Sequence, residues 1–557
     1  MNYIENLQTF LGLAGPPSKF GWERNMALPT VAVILDEFST ACFSPEANLV
    51  PIGPNDIEAC LDHFQPEFLF CESAWRGNDY AWQHLIATST GAKPKLLQLI
   101  RACRDRGIRT VFWNKEDPPH FDDFIETARH FDFIFTTEEA LVPTYRKAAG
   151  HHNVGVLPFA AQPAIHKPTR VRGHREGNVV FAGQYFRHKF IERKQQMDYL
   201  FPAAVEFGFD IYSREQGGDE RYRFPEEYAP YVRGSLPYEQ MLDAYRKYKI
   251  FLNVNSVPSS NSMCARRVFE LGAAKTTVLS SPTPAISEFY GHEEVLMASD
   301  RQAASEAMAE VLKDPQLRQR RAHRAWRTTL TRHTYRHRML EIRRALKDGI
   351  ESLPVVGDDS SLRYAAVCLV RDANGIQLAM DEVAKQAIPP VDIRLLMPAP
   401  STKMADSVQD SLRPETTYDA FVGEPGAATL ARELQELDLS CVIFSDDTAY
   451  GKHYAADLLL ATYQTEAAVV GKRVTQSNVE PSSPIDAEDW PEDRETDAVL
   501  PYAWLARGTS SLERLLVSAL YNRDELLGLE SEGYASDRYN ALKRSDLVSV
   551  NGSEWIV

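Results

Sequence analysis

The sequence predicts an α/β protein built from two Rossmann-like domains that face a cleft, followed by a smaller third α/β domain. Three observations predict it: short apolar strands alternate with longer amphipathic helices from about residue 30, the alternation restarts after a polar break near 170, and a third series begins after a break near 355. The boundaries are 1–170 for the first domain, 171–350 for the second, 351–362 for a linker and 363–557 for the third.

In the first series the strands are "TVAVILDE", "PEFLFCES", "RTVFWNKED", "FDFIFTTEE" and "VGVLPFAA". Between them "KPKLLQLIRACRDRG" sets Leu96, Leu97, Ile100 and Cys103 on one helical face, as a helix covering a sheet requires. The break "HKPTRVRGHREGN" precedes "VVFAG", "FDIYS", "KIFLNVN", "TTVLSS" and "EVLMA", then a long basic helix. The linker "ESLPVVGDDSSLR" leads to a third series opening at "YAAVCLVRDANGIQL"; within it "VEPSSPIDAEDWPEDRETDAV" reads as an exposed acidic loop.

Composition narrows the function. With 557 residues, 44% apolar and 25% charged, the chain reads as globular, and 77 acidic against 61 basic residues make a general nucleic-acid binder unexpected. No apolar run approaches the ~20 residues that span a bilayer, and the start lacks a basic segment with an apolar secretion core. Cytoplasmic residence is the expectation. Seven scattered cysteines without a C-x-x-C pair indicate neither a disulfide framework nor a cysteine zinc site. "GHHN" lacks a third metal ligand nearby and Ser73 lacks a G-x-S-x-G elbow.

"MCARRVFELGAAKTTVLSS" places Arg266, Arg267 and Glu270 within one helical face, three and four residues apart. A solvated salt-bridge cluster is one reading. The other follows from position: the helix succeeds the strand "KIFLNVN", so its amino end opens at the sheet's carboxyl edge, where arginines and free N–H groups suit a phosphate and a carboxylate suits a ribose diol.

"YEQMLDAYRKYKIFLNVNS", "RRVFELGAAKTTVLSS" with "ISEFYGHEEVLMASD", and "RHTYRHRMLEI" resemble the CgeB-type, spore-maturation-like glycosyltransferases of GT-B fold, over roughly residues 60 to 350. The resemblance implies that Glu270 holds the donor ribose. It also implies that "VVFAGQYFRHKFIERK" supplies Gly183 as a close-approach position, with Arg187, Lys189, Arg193 and Lys194 as diphosphate candidates that cannot all point inward. Asn255, Arg266 and Arg267 complete the donor set. A tight turn at Gly183 and a solvated face for the basic quartet are the bland alternatives. Lys275 stands where such families carry a glycine at a left-handed cap.

Strand ends of the first domain carry "CESAWRGND", "WNKEDPPHFDD" and "TTEEA". Trp75 stacks on an acceptor sugar or packs; Arg76 meets a phosphate; Glu116, Asp117 and His120 bind hydroxyls or move a proton, or else cap the next helix. The third domain resembles a reduced GT-A, family-2-like glycosyltransferase domain in "CVIFSDDTAYGKHYAADLLLATYQTEAAVVGK". It is read as non-catalytic; the alternative has Asp446 and Asp447 holding a divalent ion. The ten arginines from Arg318 to Arg344 form a solvated or interdomain salt-bridged helix, the second reading being peripheral contact with anionic lipid at the inner membrane face.

The function expected is sugar transfer from a nucleotide-sugar donor to a glycan or other hydroxyl acceptor in bacterial surface polysaccharide synthesis, with no cofactor at the GT-B site. The alternatives are a nucleotide-sugar epimerase or hydrolase on the same fold, and a non-catalytic scaffold derived from a transferase.

Overall fold

β1 (Thr30–Ile34), buried on both sides, is a run of β-branched and small residues of the kind that fills the middle of a parallel sheet. β2 (Asn48–Pro51), β3 (Phe68–Glu72), β4 (Arg109–Asn114), β5 (Phe133–Thr136) and β6 (Val154–Val156) join it in the order β2-β1-β3-β4-β5-β6, every pairing parallel. The sequence pattern missed β2, a four-residue edge strand ending on a proline that only an edge tolerates. Helices α1 (Glu37–Phe43), α2 (Ile57–Phe64), α3 (Pro94–Asp105), α4 (Phe121–Ala128) and α5 (Val142–Ala149) connect the strands. In α3 the inward residues are Leu96, Leu99, Ile100 and Cys103, so Leu99 takes the place expected for Leu97.

This computed structural model describes residues 25–168, 175–214, 219–352, 362–398, 419–465, 467, 469–471, 494–499, 504–506, 512–521, 527–535 and 541–543. Most of the expected linker, 353–361, and residues 479–493 of the expected acidic loop lie outside them; 494–499 form a strand rather than loop.

The second sheet comprises β7 (Gly177–Gly183), β8 (Phe209–Ser213), β9 (Val232–Gly234), β10 (Tyr248–Asn253), β11 (Thr277–Ser280) and β12 (Leu296–Met297). Its order is β12-β11-β10-β7-β8-β9, again all parallel, which is the Rossmann order with its reversal between β7 and β10. Helices α6 (Ile191–Val205), α7 (Tyr238–Lys247), α8 (Arg267–Ala273), α9 (Pro284–Phe289) and α10 (Arg301–Lys313) belong to it.

The expected single basic helix is two. α11 (Pro315–Arg332) ends at His333, and α12 (Tyr335–Asp348) starts with a capping box between Thr334 and His337. Tyr335, Met339, Ile342 and Ala345 of α12 enter the core on one face of the first sheet, and Arg338 donates to the carbonyls of Pro158 and Phe159. The arginines are largely engaged within the molecule: Arg324 pairs with Glu293, Arg327 with Asp457, and Arg343 with Glu67.

The third sheet runs β15-β14-β13-β16-β20-β18-β21-β19, from β13 (Tyr364–Leu369), β14 (Asp392–Met397), β15 (Asp419–Val422), β16 (Ser440–Ser445), β18 (Val469–Gly471), β19 (Arg494–Val499), β20 (Trp504–Ala506) and β21 (Leu527–Ala535). It is parallel through β16 and mixed beyond, with β20 antiparallel to both its neighbours. Its α15 (Tyr454–Ala461) packs on α11, and Phe269 and Leu271 of the second sheet's side share one hydrophobic core with Tyr364, Phe444 and Leu458. α13 (Ala373–Ala384) and α14 (Gly423–Glu436) flank the sheet, α16 (Leu512–Tyr521) lies against α14, and β17 (Thr448–Tyr450) pairs with β22 (Ala541–Lys543). All seven cysteines are buried and free.

Candidate functional site

Where the strand order of a parallel sheet reverses, the loops leaving the two central strands diverge and open a crevice beyond their carboxyl ends. The first sheet reverses between β1 and β3, the second between β7 and β10.

At the second reversal Gly183 ends β7. A Cβ there would lie 2.9 Å from the Phe181 ring and 3.7 Å from an Arg193 amino group, and its φ is not left-handed, so close packing and not a turn demands glycine. Arg193, in the first turn of α6, donates to Ser256 Oγ at 3.2 Å and thereby spans the reversal. Its Nε is buried without a hydrogen-bond partner, as is that of Arg267. Burial, then the charges of Arg267 and Arg214, lower Arg193 to about 10. Arg214, directly after β8, is lowered by burial, Arg267 and Arg266, against a counteracting pull from Glu116 of the first sheet's side. Among the described residues no ion pair joins Arg193, Arg214 or Arg267 to a carboxylate. Three guanidiniums that lower one another's affinity for protons, with no carboxylate in direct ion-pair contact, suit an anion.

Glu270 is fully buried in α8. Tyr245 donates to its Oε2 at 2.5 Å, Arg266 approaches its Oε1 to 3.5 Å and His166 to 3.7 Å, and Oε1 has no hydrogen bond. Burial opposes ionisation, but Arg266 and the Tyr245 hydrogen bond outweigh it and hold the carboxyl below its usual range. The two arginines of the helix start therefore part company. Arg267 joins the cluster, whereas Arg266 sits between Glu270 and the ring of Phe38 in α1.

At the first reversal Asp36 follows β1, Glu72 ends β3 and Lys115 follows β4. Lys115 Nζ lies 2.9 Å from Glu72 and 3.5 Å from Asp36, and Ser39 donates to Glu72. The Asp36 carboxylate accepts the N–H groups of Trp75, Arg76 and Gly77 at 3.2, 3.1 and 2.8 Å, which fixes that loop. Trp75 is 41% exposed and stands edge-on to His120 and Phe124, each 5.1 Å away. Arg76 lies 4.9 Å over the Tyr80 ring. Glu116 is half-buried, next to Lys115, and its charge is felt by Arg214 of the second sheet's side.

Several expected residues lie elsewhere. Asp117 is buried and accepts hydrogen bonds from Asn114, Thr136 and Tyr145 at 2.8, 2.6 and 2.9 Å; burial pushes it up to about 7. It braces β4 against β5 and has no face toward an acceptor. Asn255 is likewise buried, its amide donating to Ser280, Ser281 and the Ser281 carbonyl, so it ties β10 to β11. Arg187 donates to the carbonyls of Arg223 and Phe224, Lys189 stacks on Phe186 and Phe190, and Lys194 is exposed, leaving Arg193 alone of the basic quartet in the cluster. His120 pairs with Asp123 at 2.8 Å and makes no cap bond to α4.

In the third sheet Arg371 reaches Asp446 and Asp447, each at 3.0 Å, and Ser445 and Thr448 also donate to Asp447. A guanidinium thus occupies the position between the two carboxylates that the alternative reading assigned to a divalent ion. No group of three or more metal-ligating side chains occurs among the described residues, and no helix among them is long and apolar enough to cross a membrane.

Arg214, Asp36, Lys115 and His166 escaped the sequence reading. The first three each follow a strand, in "IYSRE", "ILDE" and "FWNKE", and that position was a usable signal; nothing local marked His166.

No curated protein matches the chain. A glycosyltransferase from Rickettsia africae is similar at 8% identity with a TM-score of 0.38, over 59% of this chain and 91% of its own. Anabaena HepE in complex with UDP-glucose is similar at 11% and 0.38, over 57% and 91%. The T4 phage BGT in complex with UDP and Mn2+ is similar at 14% and 0.35, over 58% and 99%. Residues 193–344, which carry Arg193, Arg267 and Glu270, match the family model described as glycosyl transferase-like.

Proposed function

We propose that the protein transfers a sugar from a nucleotide-sugar donor to a hydroxyl-bearing acceptor. The observation that carries this reading is the set of Arg193, Arg214 and Arg267 beside the reversal of the second sheet, none in a direct ion pair and two with buried Nε groups lacking partners. A diphosphate supplies the missing charge and acceptors. Glu270, whose Oε1 is buried without a hydrogen bond, is the acceptor for a ribose hydroxyl once the seam under Arg266 and Phe38 opens to admit it.

In transfer, an acceptor oxygen attacks the anomeric carbon while the bond to the diphosphate oxygen breaks. The leaving group gains negative charge beside the three guanidiniums, which are already in place and need no reorganisation. Trp75 and Arg76 on the opposite side bind the acceptor, with His120 at the edge of Trp75. Glu116, half-buried just beyond the end of β4, is the carboxylate we assign to orient or deprotonate the attacking hydroxyl. A divalent ion is not required to balance the diphosphate. A bacterial surface glycan is the acceptor class that the CgeB-type resemblance favours.

The test is titration calorimetry with a panel of nucleotide sugars and nucleoside diphosphates on wild type and Arg193→Ala, followed by assay of nucleotide release with and without glycan acceptors. Selective binding weakened at least tenfold in the variant, with acceptor-dependent release, is expected. A sugar isomer formed without acceptor would make the protein an epimerase. Absence of binding across the panel would leave a scaffold.

A further inference from the structure

Besides the shared apolar core, the third sheet's side meets the donor half through a side chain that is satisfied on all sides. Gln464, three residues beyond α15 and 2% exposed, donates from Nε2 to the carbonyl of Ala273 at 2.9 Å and to the carbonyl of His166 at 3.1 Å, while its Oε1 accepts the indole N–H of Trp326 at 2.8 Å. Both amide protons and the oxygen are used. Ala273 is the last residue of α8, the helix that begins at Arg267 and contains Glu270. His166 lies on the segment joining the first two sheets, and its ring is the group 3.7 Å from Glu270 Oε1.

The ring's tautomer is fixed by its partners. Nδ1 accepts the N–H of Gln162 at 2.9 Å, so Nε2 carries the proton and donates to Tyr238 at 2.8 Å. Burial keeps this imidazole neutral, with a pKa near 4. An Oε1 without a hydrogen bond is therefore flanked by a ring that cannot swing toward it without giving up Tyr238. Gln464 grips the backbone beneath that ring and the end of the helix bearing Glu270. Asp457 supports the grip from α15 through His323 at 2.9 Å and Arg327 at 2.6 Å, both on α11.

We infer that Gln464 is a positioning residue for the donor site: it holds His166 and α8 in the register that leaves Glu270 Oε1 without a protein hydrogen bond and so able to accept one from a donor hydroxyl. The third sheet's side thereby acts on donor affinity without touching the donor. This rests on the donor reading of Glu270 given above.

Gln464→Met keeps the volume and removes the three hydrogen bonds. Donor affinity and steady-state kinetics are measured on the full chain for wild type, Gln464→Met, Glu270→Gln and the double variant, well below the melting temperature of each. The expected result is a three- to tenfold rise in donor Kd and KM for Gln464→Met, a smaller change in kcat, and no further loss when it is added to Glu270→Gln, since both act through one carboxylate. Unchanged donor Kd in Gln464→Met, or full additivity in the double variant, overturns the inference while leaving the donor site standing. Wild type that binds no nucleotide sugar overturns both.

Discussion

The Arg266 guanidinium lies 3.6 Å from the centroid of the Phe38 ring, so a cation from the second sheet's side is covered by an aromatic side chain from the first. Phe38 also meets Tyr238 and Tyr335 edge-on, at 5.7 and 6.2 Å. Replacing Phe38 by Leu keeps most of the apolar volume and removes the π face. A loss of about 1 kcal/mol is expected, read as a lower denaturation midpoint with an unchanged denaturant slope.

The same pair sets the choice of variant at Glu270. Glu270→Ala leaves the partly exposed Arg266 and the buried Tyr245 hydroxyl without their partner and should cost about 2 kcal/mol, enough to confuse loss of binding with loss of fold. Glu270→Gln keeps the shape and the Tyr245 hydrogen bond. Donor affinity should fall at least tenfold in Glu270→Gln, with a melting temperature much nearer to wild type than that of Glu270→Ala.

Arg193 offers the opposite signature. Its charge is held against burial and two like charges, so Arg193→Met should raise the melting temperature of the unliganded protein while weakening nucleoside diphosphate binding. A melt with and without added nucleotide reads both arms. A residue that served only the fold would lower the melting temperature.

Asp117 supplies the pH test. Burial raises its folded pKa to about 7, above the unfolded value of about 3.9. Between those values the folded state holds a proton that the unfolded state has released, so stability falls as pH rises from about 4 to about 7 and stays lower above. Asp117→Asn cannot ionise. The stability of wild type relative to this variant should decline over that window, followed by denaturant unfolding at several pH values, and the variant should retain turnover within a few-fold.

Chelation tests the third sheet. Arg371 already pairs with both Asp446 and Asp447. Treatment with excess chelator should leave donor binding and nucleotide release unchanged, measured against a control with divalent ion restored. Loss of transfer that the ion restores would return the chemistry to these aspartates.

The parallel sheets were legible because strands buried on both faces are written as near-continuous apolar runs, such as "VAVIL" and "IFLNV". β2 and β9 were not, being edge strands of four and three residues, too short to write a pattern. Strand ends exposed Glu116, Trp75 and Arg76, since their position follows from the strand before them. What sequence spacing could not supply was direction. Arg266 and Arg267 are neighbours with different destinations, and Asp117 and Glu116 likewise, because one residue's rotation on a helix start or a tight loop exchanges core for crevice. Lys275 shows a further limit. It adopts the left-handed φ of 49° expected of a glycine, its ammonium 4.5 Å from the Trp326 ring and its carbonyl receiving Arg175. Gly272 beside it is demanded by packing, since a Cβ there would collide with Thr329.

The return of α12 to the first sheet has a consequence for synthesis. Phe43, Phe70 and Trp113 pack in one cluster with Tyr335, Met339 and Ile342, some two hundred residues and more further along the chain. At roughly 5–20 residues per second, a ribosome leaves that aromatic surface without its cover for on the order of ten seconds or longer after the first sheet has emerged. Until α12 arrives, the nascent first sheet is a natural client for a chaperone, and a chain truncated between the two sheets would keep that aromatic face bare.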